Sequence, residues 1–223
     1  MTPELISIDV AGKARVSGLL ELPEKAHAIY VLAHGAGAGM KHPFMAQIAS
    51  ELAAQGVGTL RYQFPYMEQG SKRPDPPALC HATVRAAVAE ASRHAGAAVK
   101  LIAGGKSFGG RMTSQAQAAA PLEGVRGLAF LGFPLHPPKK PSTERAKHLA
   151  DVTIPMLFLQ GTRDELADLT LLEPITQQLG ALVTLKKIEN ADHSFHVPAR
   201  TGRKDAEVVE ELAQTLAAWA DRL

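Results

Sequence analysis

Short apolar runs alternate with longer stretches of helical periodicity along this chain. Leu5–Val10 and Ala14–Leu22 alternate apolar and polar residues, the period-two pattern of strands buried on one face. The turn Ala11-Gly12-Lys13 between them predicts an opening antiparallel hairpin. Ala28–Ala33 is a continuous apolar run of the buried-strand type, and Phe44–Ala54 follows it with Phe44, Ile48 and Leu52 on one helical face. Val57–Tyr62 reads as a strand, His81–His94 as an Ala-rich helix and Ala98–Ala103 as a short buried strand. The alternation then repeats through helix Arg111–Ala120, strand Val125–Leu131, strand Ile154–Leu159, helix Leu171–Leu179, strand Leu182–Ile188 and a closing amphipathic helix Asp205–Leu223. This order predicts an α/β fold: a mostly parallel sheet with an antiparallel N-terminal start and helices on both faces.

Two proline-rich stretches, Phe64–Pro77 and Pro134–Pro141, read as ordered loops, because proline removes backbone donors and stiffens the chain. No repeat or linker interrupts the pattern, so residues 1–223 read as one domain, a length that supports a single core. Composition adds exclusions. With 46% hydrophobic and 21% charged residues, disorder and coiled coil are excluded. A formal charge of +2 does not make a nucleic-acid surface. The single cysteine forms no intramolecular disulfide, the N-terminus lacks signal-peptide character, and no run approaches 18 apolar residues. The expectation is a soluble cytoplasmic protein with no membrane or nucleic-acid partner, its oligomeric state left open.

The chemistry concentrates in Gly105-Lys106-Ser107-Phe108-Gly109, a G-x-S-x-G sequence. With 19 Gly in the chain, such a match arises by chance about 0.07 times per sequence, and its context makes it specific. A buried strand runs into it and a helix former follows, as a strained strand-to-helix turn requires. That turn crowds its neighbours, so the positions two before and two after the serine must be small. A Walker A loop is excluded, since the glycine it needs five residues before Gly105 is Lys100.

A serine hydroxyl is a poor nucleophile without a base, normally a histidine oriented by a carboxylate. Downstream, Asp164 follows the strand Ile154–Leu159 in Gly161-Thr162-Arg163-Asp164, and His193 lies in the loop between the last strand and last helix. Both project from the sheet edge where open α/β sheets build their sites, in the order Ser, Asp, His. Asp168 and Asp192 are alternative acids and His196 an alternative base. Asp168 falls at a helix start, and Asp192 adjoins His193 too closely to reach its Nδ1. His193/His196 also form H-x-x-H, a weak metal signal without acidic or cysteine partners, so no metal or other cofactor is expected.

An oxyanion requires backbone N–H donors. Phe108 N–H directly follows the serine, and Ala36 in His34-Gly35-Ala36-Gly37-Ala38-Gly39 is the second expected donor, with His34 bracing that loop. Gly35, Phe64, Tyr66, Phe133 and His136 are expected to wall the pocket, with Lys41, Lys72, Arg73, Lys139 and Lys140 near its rim. Lys106 and Arg111 read as charges paired with carboxylates under the site, Cys80 and Trp219 as packing residues.

Six stretches, Leu32–Met40, Arg61–Glu68, Gly104–Arg111, Gly132–Pro138, Gln160–Asp164 and Ala191–Phe195, resemble the α/β-hydrolase superfamily over nearly the whole chain. Together they are similar to a small, cap-less group of dienelactone-hydrolase-like proteins, a group that also resembles the hydrolase-like domain of a subunit of the NSL histone-acetyltransferase complex. The resemblance implies an α/β-hydrolase fold without a sizeable cap, with Ser107 as nucleophile, Asp164 as acid and His193 as base. One departure matters. Dienelactone hydrolases use a cysteine nucleophile, so their substrate does not transfer to a chain with serine.

The leading expectation is a serine hydrolase cleaving a small-molecule acyl ester through an acyl-enzyme. A peptidase or amidase uses the same three residues, and a non-catalytic interaction module on the same fold is the reading from a different class. Only about 20 residues separate Leu131 from Ile154, too few for a cap, which predicts an open site favouring short acyl chains.

Overall fold

The run Ala28–Ala33 is buried at every position because it lies in the middle of a sheet covered on both faces. The computed structural model describes residues 2–223. Its eight strands are β1 (Glu4–Val10), β2 (Ala14–Glu21), β3 (Ala28–Ala33), β4 (Val57–Tyr62), β5 (Lys100–Lys106), β6 (Val125–Leu131), β7 (Met156–Gly161) and β8 (Val183–Ile188). They form one sheet in the order β1-β2-β4-β3-β5-β6-β7-β8. β1 pairs antiparallel with β2 and β2 with β4; every other pairing is parallel. The predicted fold class holds, antiparallel start included.

The pleat divides each central strand between two apolar layers. On β6, Leu128 and Phe130 face one layer, Ala129 and Leu131 the other; on β7, Met156 and Phe158 oppose Leu157 and Leu159. Helices α3 (Pro77–His94), α4 (Phe108–Ala119) and α5 (Leu169–Gln178) cover the first face. Helices α1 (Pro43–Ala54) and α6 (Asp205–Ala220) cover the second, where Trp219 is core as expected. Cys80 is buried and packs in the first layer, where burial pushes its thiol up to about 12. Among the described residues no helix is long and apolar enough to cross a membrane.

The differences from the sequence expectation cluster around the site. β5 starts two residues late and continues through Gly104 and Gly105 to Lys106, because those glycines pair with Leu32 and Ala33 on one side and Ala129 and Phe130 on the other. α4 starts at Phe108 rather than Arg111, directly on the serine, and α3 starts at Pro77, where proline suits a first helical turn. The first proline-rich stretch contains a short helix, α2 (Pro65–Glu68), whose Glu68 carboxylate accepts from Ser17 N–H and Oγ–H on β2. A 3-10 helix, Glu144–Asp151, occupies a segment for which the pattern predicted no element.

Candidate active site

The turn from β5 to α4 takes its shape from glycine. A Cβ on Gly105 would stand 2.4 Å from the Ala33 carbonyl oxygen, and one on Gly109 would stand 2.6 Å from both the Ala33 Cβ and the His34 carbonyl oxygen. With no side chain at either position, β5 and α4 close onto the end of β3. Ser107 sits at the vertex with φ 51° and ψ −117°, a conformation costly for a residue with a Cβ. Its N–H donates to Leu131 O at 3.1 Å, which anchors the vertex to β6. The strained backbone holds Oγ out at the C-terminal edge of the sheet.

Two further loops leave that edge. After β7, the Asp164 side chain is fully buried and its oxygens are saturated with donors: Leu166 N–H reaches Oδ1 at 2.8 Å, and Gln160 Nε2 reaches Oδ2 at 2.6 Å. After β8, His193 extends from a tight turn. Its Nδ1 lies 2.7 Å from Asp164 Oδ2 and its Nε2 lies 2.8 Å from Ser107 Oγ. An ionised carboxylate only accepts, so Nδ1 carries the proton and Nε2 is free to receive one from the serine. The three side chains named from the sequence meet in one hydrogen-bonded row.

Sequence reasoning missed two supports of that row. Gln160, the only polar side chain facing inward from β7, donates to Asp164 and accepts from Phe133 N–H at 2.9 Å. Its signal in the sequence is a glutamine directly after the apolar run Met156–Leu159, and the structure buries it fully. Gly161 is the second, since a Cβ there would stand 2.4 Å from Ala191 O and push the His193 loop away.

The loop after β3 runs beside the serine. His34 is fully buried; its Nδ1 donates to Gly35 O at 2.7 Å and its Nε2 accepts from Phe64 N–H at 3.1 Å. Burial pulls its pKa down to about 4, so the ring is neutral and braces the loop. Tyr66 Oη donates to Ala36 O at 2.8 Å. Among the described residues, neither Ala36 N–H nor Phe108 N–H is spent on a backbone carbonyl.

A cleft of about 360 Å³ opens over Ser107, lined by Gly35–Ala38, His42, Phe44, Met45, Lys106, Leu166, His193 and Ser194. Of the five pocket residues expected, only Gly35 lines it. Phe64 and Phe133 are fully buried, the first stacked on Tyr66 and edge-to-face with Tyr62 and Phe108, the second packed on Phe130 and Phe158. Tyr66 is turned inward to hold Ala36. His136 is buried in its own loop, Nδ1 donating to Pro137 O and Nε2 accepting from Asp168 N–H. These aromatic groups support the site from behind because burying their surface stabilises the fold more than leaving it in an open cleft. Phe44 and Met45 of α1 and Leu166 form the apolar wall instead. The expected rim residues Lys41, Lys72, Arg73, Lys139 and Lys140 are exposed and do not line the cleft.

The paired-charge expectation for Lys106 and Arg111 also fails. Neither has a carboxylate oxygen within 4.0 Å among the described residues. Lys106 Nζ donates to His193 O, and Arg111 lies against the Phe108 ring, 5.8 Å from its centroid. The alternative acids are engaged elsewhere. Asp168 caps α5 through Thr170, and Asp192 Oδ1 accepts from Ser194 and His196 N–H. His196 Nδ1 pairs with Asp205 at 2.8 Å, so it reaches neither Ser107 nor a metal set with His193.

The fold has relatives. The chain is similar to a dienelactone hydrolase from Anabaena variabilis, at 22% identity and TM-score 0.73, covering 98% of this chain and 97% of that one. It is similar to XC6422 from Xanthomonas campestris, described as an a/b serine hydrolase without lid, at 21% identity and TM-score 0.74, covering 98% and 95%. Est1E from Butyrivibrio proteoclasticus superposes at 15% identity with TM-score 0.72, covering 98% and 99%. These likenesses establish the shared fold. A family model described as an alpha/beta hydrolase domain matches residues 26–221, and the chain therefore belongs to the alpha/beta hydrolase family.

Proposed function

We propose that this chain is a serine hydrolase that cleaves a small acyl ester through a Ser107–His193–Asp164 triad and an acyl-enzyme. The observation that carries the reading is the hydrogen-bonded row, 2.8 Å from Ser107 Oγ to His193 Nε2 and 2.7 Å from His193 Nδ1 to Asp164 Oδ2. In this mechanism Ser107 Oγ attacks the ester carbonyl while His193 Nε2 takes its proton, and buried Asp164 holds the imidazole and offsets its positive charge. The carbonyl oxygen becomes an oxyanion between the free N–H groups of Ala36 and Phe108. His193 then returns the proton to the leaving alcohol, and water attacks the acyl-enzyme by the same route. The chemistry calls on no metal or organic cofactor.

Acyl chains that fit the cleft are short or compact. The wall from Phe44, Met45 and Leu166 is apolar, and the cleft measures about 360 Å³. A buried free thiol at Cys80 suits a reducing compartment, and we place the enzyme's action in the cytoplasm. A peptidase or amidase would use the same residues, but no observation favours it. The interaction-module reading, with its resemblance to the NSL subunit domain, gives no reason for the strain kept at Ser107 or for the donors gathered on Asp164. Turnover against a panel of small acyl esters, with Ser107→Ala as the blank, tests the proposal. Activity that survives in the purified variant contradicts it.

A further inference from the structure

Lys106 is the last residue of β5, directly before the nucleophile, and its side chain enters the cleft. Its Nζ donates to the His193 carbonyl oxygen at 2.5 Å and lies 5.3 Å from the centre of the Phe195 ring, two residues further along the same loop. No backbone N–H reaches that carbonyl among the described residues. The loop is tightly wound: Asn190 and Phe195 both have positive φ, and Asp192 closes the turn through Phe195, Ser194 and His196 N–H groups. Asp192 thus holds the loop from its own side, and Lys106 is the contact from the serine's side.

The carboxylates whose charges reach the ammonium are Asp164 and Asp192, and both are hydrogen-bonded elsewhere. Lys106 is therefore not half of a buried ion pair. A methionine would fill similar space without the cost of desolvating an ammonium, so stability alone does not account for the charge. Building on the hydrolase reading, we propose that Lys106 is a positioning residue: it grips the His193 peptide carbonyl and thereby sets the imidazole between Ser107 and Asp164. The role is a matter of fractions of an ångström, the scale on which a triad gains or loses rate.

Burial pulls the Lys106 pKa down to about 8, against the opposing pull of Asp164 and then Asp192. His193 and His42 are the histidines that line the cleft with it. Above that pH the tie loses its charge assistance. The experiment measures kcat and KM on p-nitrophenyl acetate, with pH profiles, for wild type, Lys106→Met and Lys106→Arg. The expected result is kcat lowered about tenfold in K106M with KM within twofold and no loss of thermal stability. K106R restores most of the loss and moves the alkaline decline of kcat upward from about pH 8. Wild-type kcat in K106M, or a loss confined to KM, overturns the proposal. Should K106M fail to fold, the comparison of wild-type and K106R profiles decides alone, and coincident alkaline limbs overturn it. A wild type without turnover on any ester refutes the hydrolase reading itself, a different outcome from an active enzyme indifferent to residue 106.

Discussion

Gly109 in the first turn of α4 stands against Ala33 at the end of β3 with no room for a methyl group between them. The serine-bearing turn is therefore held by backbone packed against backbone, and its strain is sustained by close approach from outside. Gly109→Ala forces that contact apart. Overpacking of this kind costs about 1–3 kcal/mol, and in a chain of this size each kcal/mol lowers Tm by about 2–4 °C. Gly37→Ala, where nothing lies within 4 Å, is the control. Equal Tm values for the two variants in thermal unfolding would remove the packing account of the turn.

The acid is assigned by hydrogen bonding, and the alternatives separate cleanly. Asp164→Asn replaces the acceptor for His193 Nδ1–H with an amide and favours the wrong tautomer, with kcat reduced by as much as ~10⁴. In Asp192→Asn and Asp168→Asn the side-chain oxygen still accepts the same backbone N–H groups, so kcat changes little. Steady-state kinetics on the three variants checks this order. A larger loss in D192N than in D164N would move the acid to the His193 loop.

The cleft sets chain length. At about 360 Å³ with an apolar wall of Phe44, Met45 and Leu166, it suits short acyl groups. A p-nitrophenyl series from acetate to palmitate should peak among the short chains, and a maximum at long chains would contradict a cleft of this size. Because the lysines and arginines expected at the rim do not line the cleft, and Lys106, which does, is tied to the His193 carbonyl, an added anionic group on the substrate should bring no advantage that fades with salt.

Two histidines, His34 buried and His148 half-buried, make the fold acid-sensitive. His34 and His148 are pulled down to about 4, in both cases chiefly by burial, whereas the unfolded chain titrates near 6.5. Between those values the unfolded chain binds protons that the native chain does not, so stability rises with pH from about 4 to 6.5 and is lost as pH falls through that window. His148 Nε2 lies 2.7 Å from Ser114 Oγ, whose hydroxyl donates to Arg111 O at 3.0 Å. Tm measured across this range should fall toward acid, with a shallower slope in His148→Gln. An unchanged slope would mean His148 is not titrating as argued.

The sequence pattern anticipated much of this architecture, for reasons visible in individual elements. Ala28–Ala33, Val57–Tyr62 and Val125–Leu131 are strands with the limits the pattern predicts: the first is apolar and buried throughout, the second buries Thr59 and Arg61 among its apolar positions, and the third exposes only Arg126. The row of Ser107, Asp164 and His193 was legible because each follows a strand whose C-terminal end lies on one edge. What remained hidden depends on contacts distant in sequence. Nothing near Phe64 or Phe133 signals which face of its loop turns inward. The expected partner of Lys106 was a carboxylate, and the actual one is a peptide carbonyl 87 residues away. The helix Pro65–Glu68 was obscured by the proline-rich stretch it opens, which reads as loop, although Pro65 here begins a helical turn.

The central claim is that Ser107 is an activated nucleophile. Incubating the protein with a fluorophosphonate probe and measuring intact mass and the modified peptide tests it directly. The account predicts one adduct per chain, on Ser107, absent in Ser107→Ala and strongly slowed in His193→Ala, which lacks the base. No adduct on folded wild-type protein, or an adduct that persists in Ser107→Ala, would contradict it.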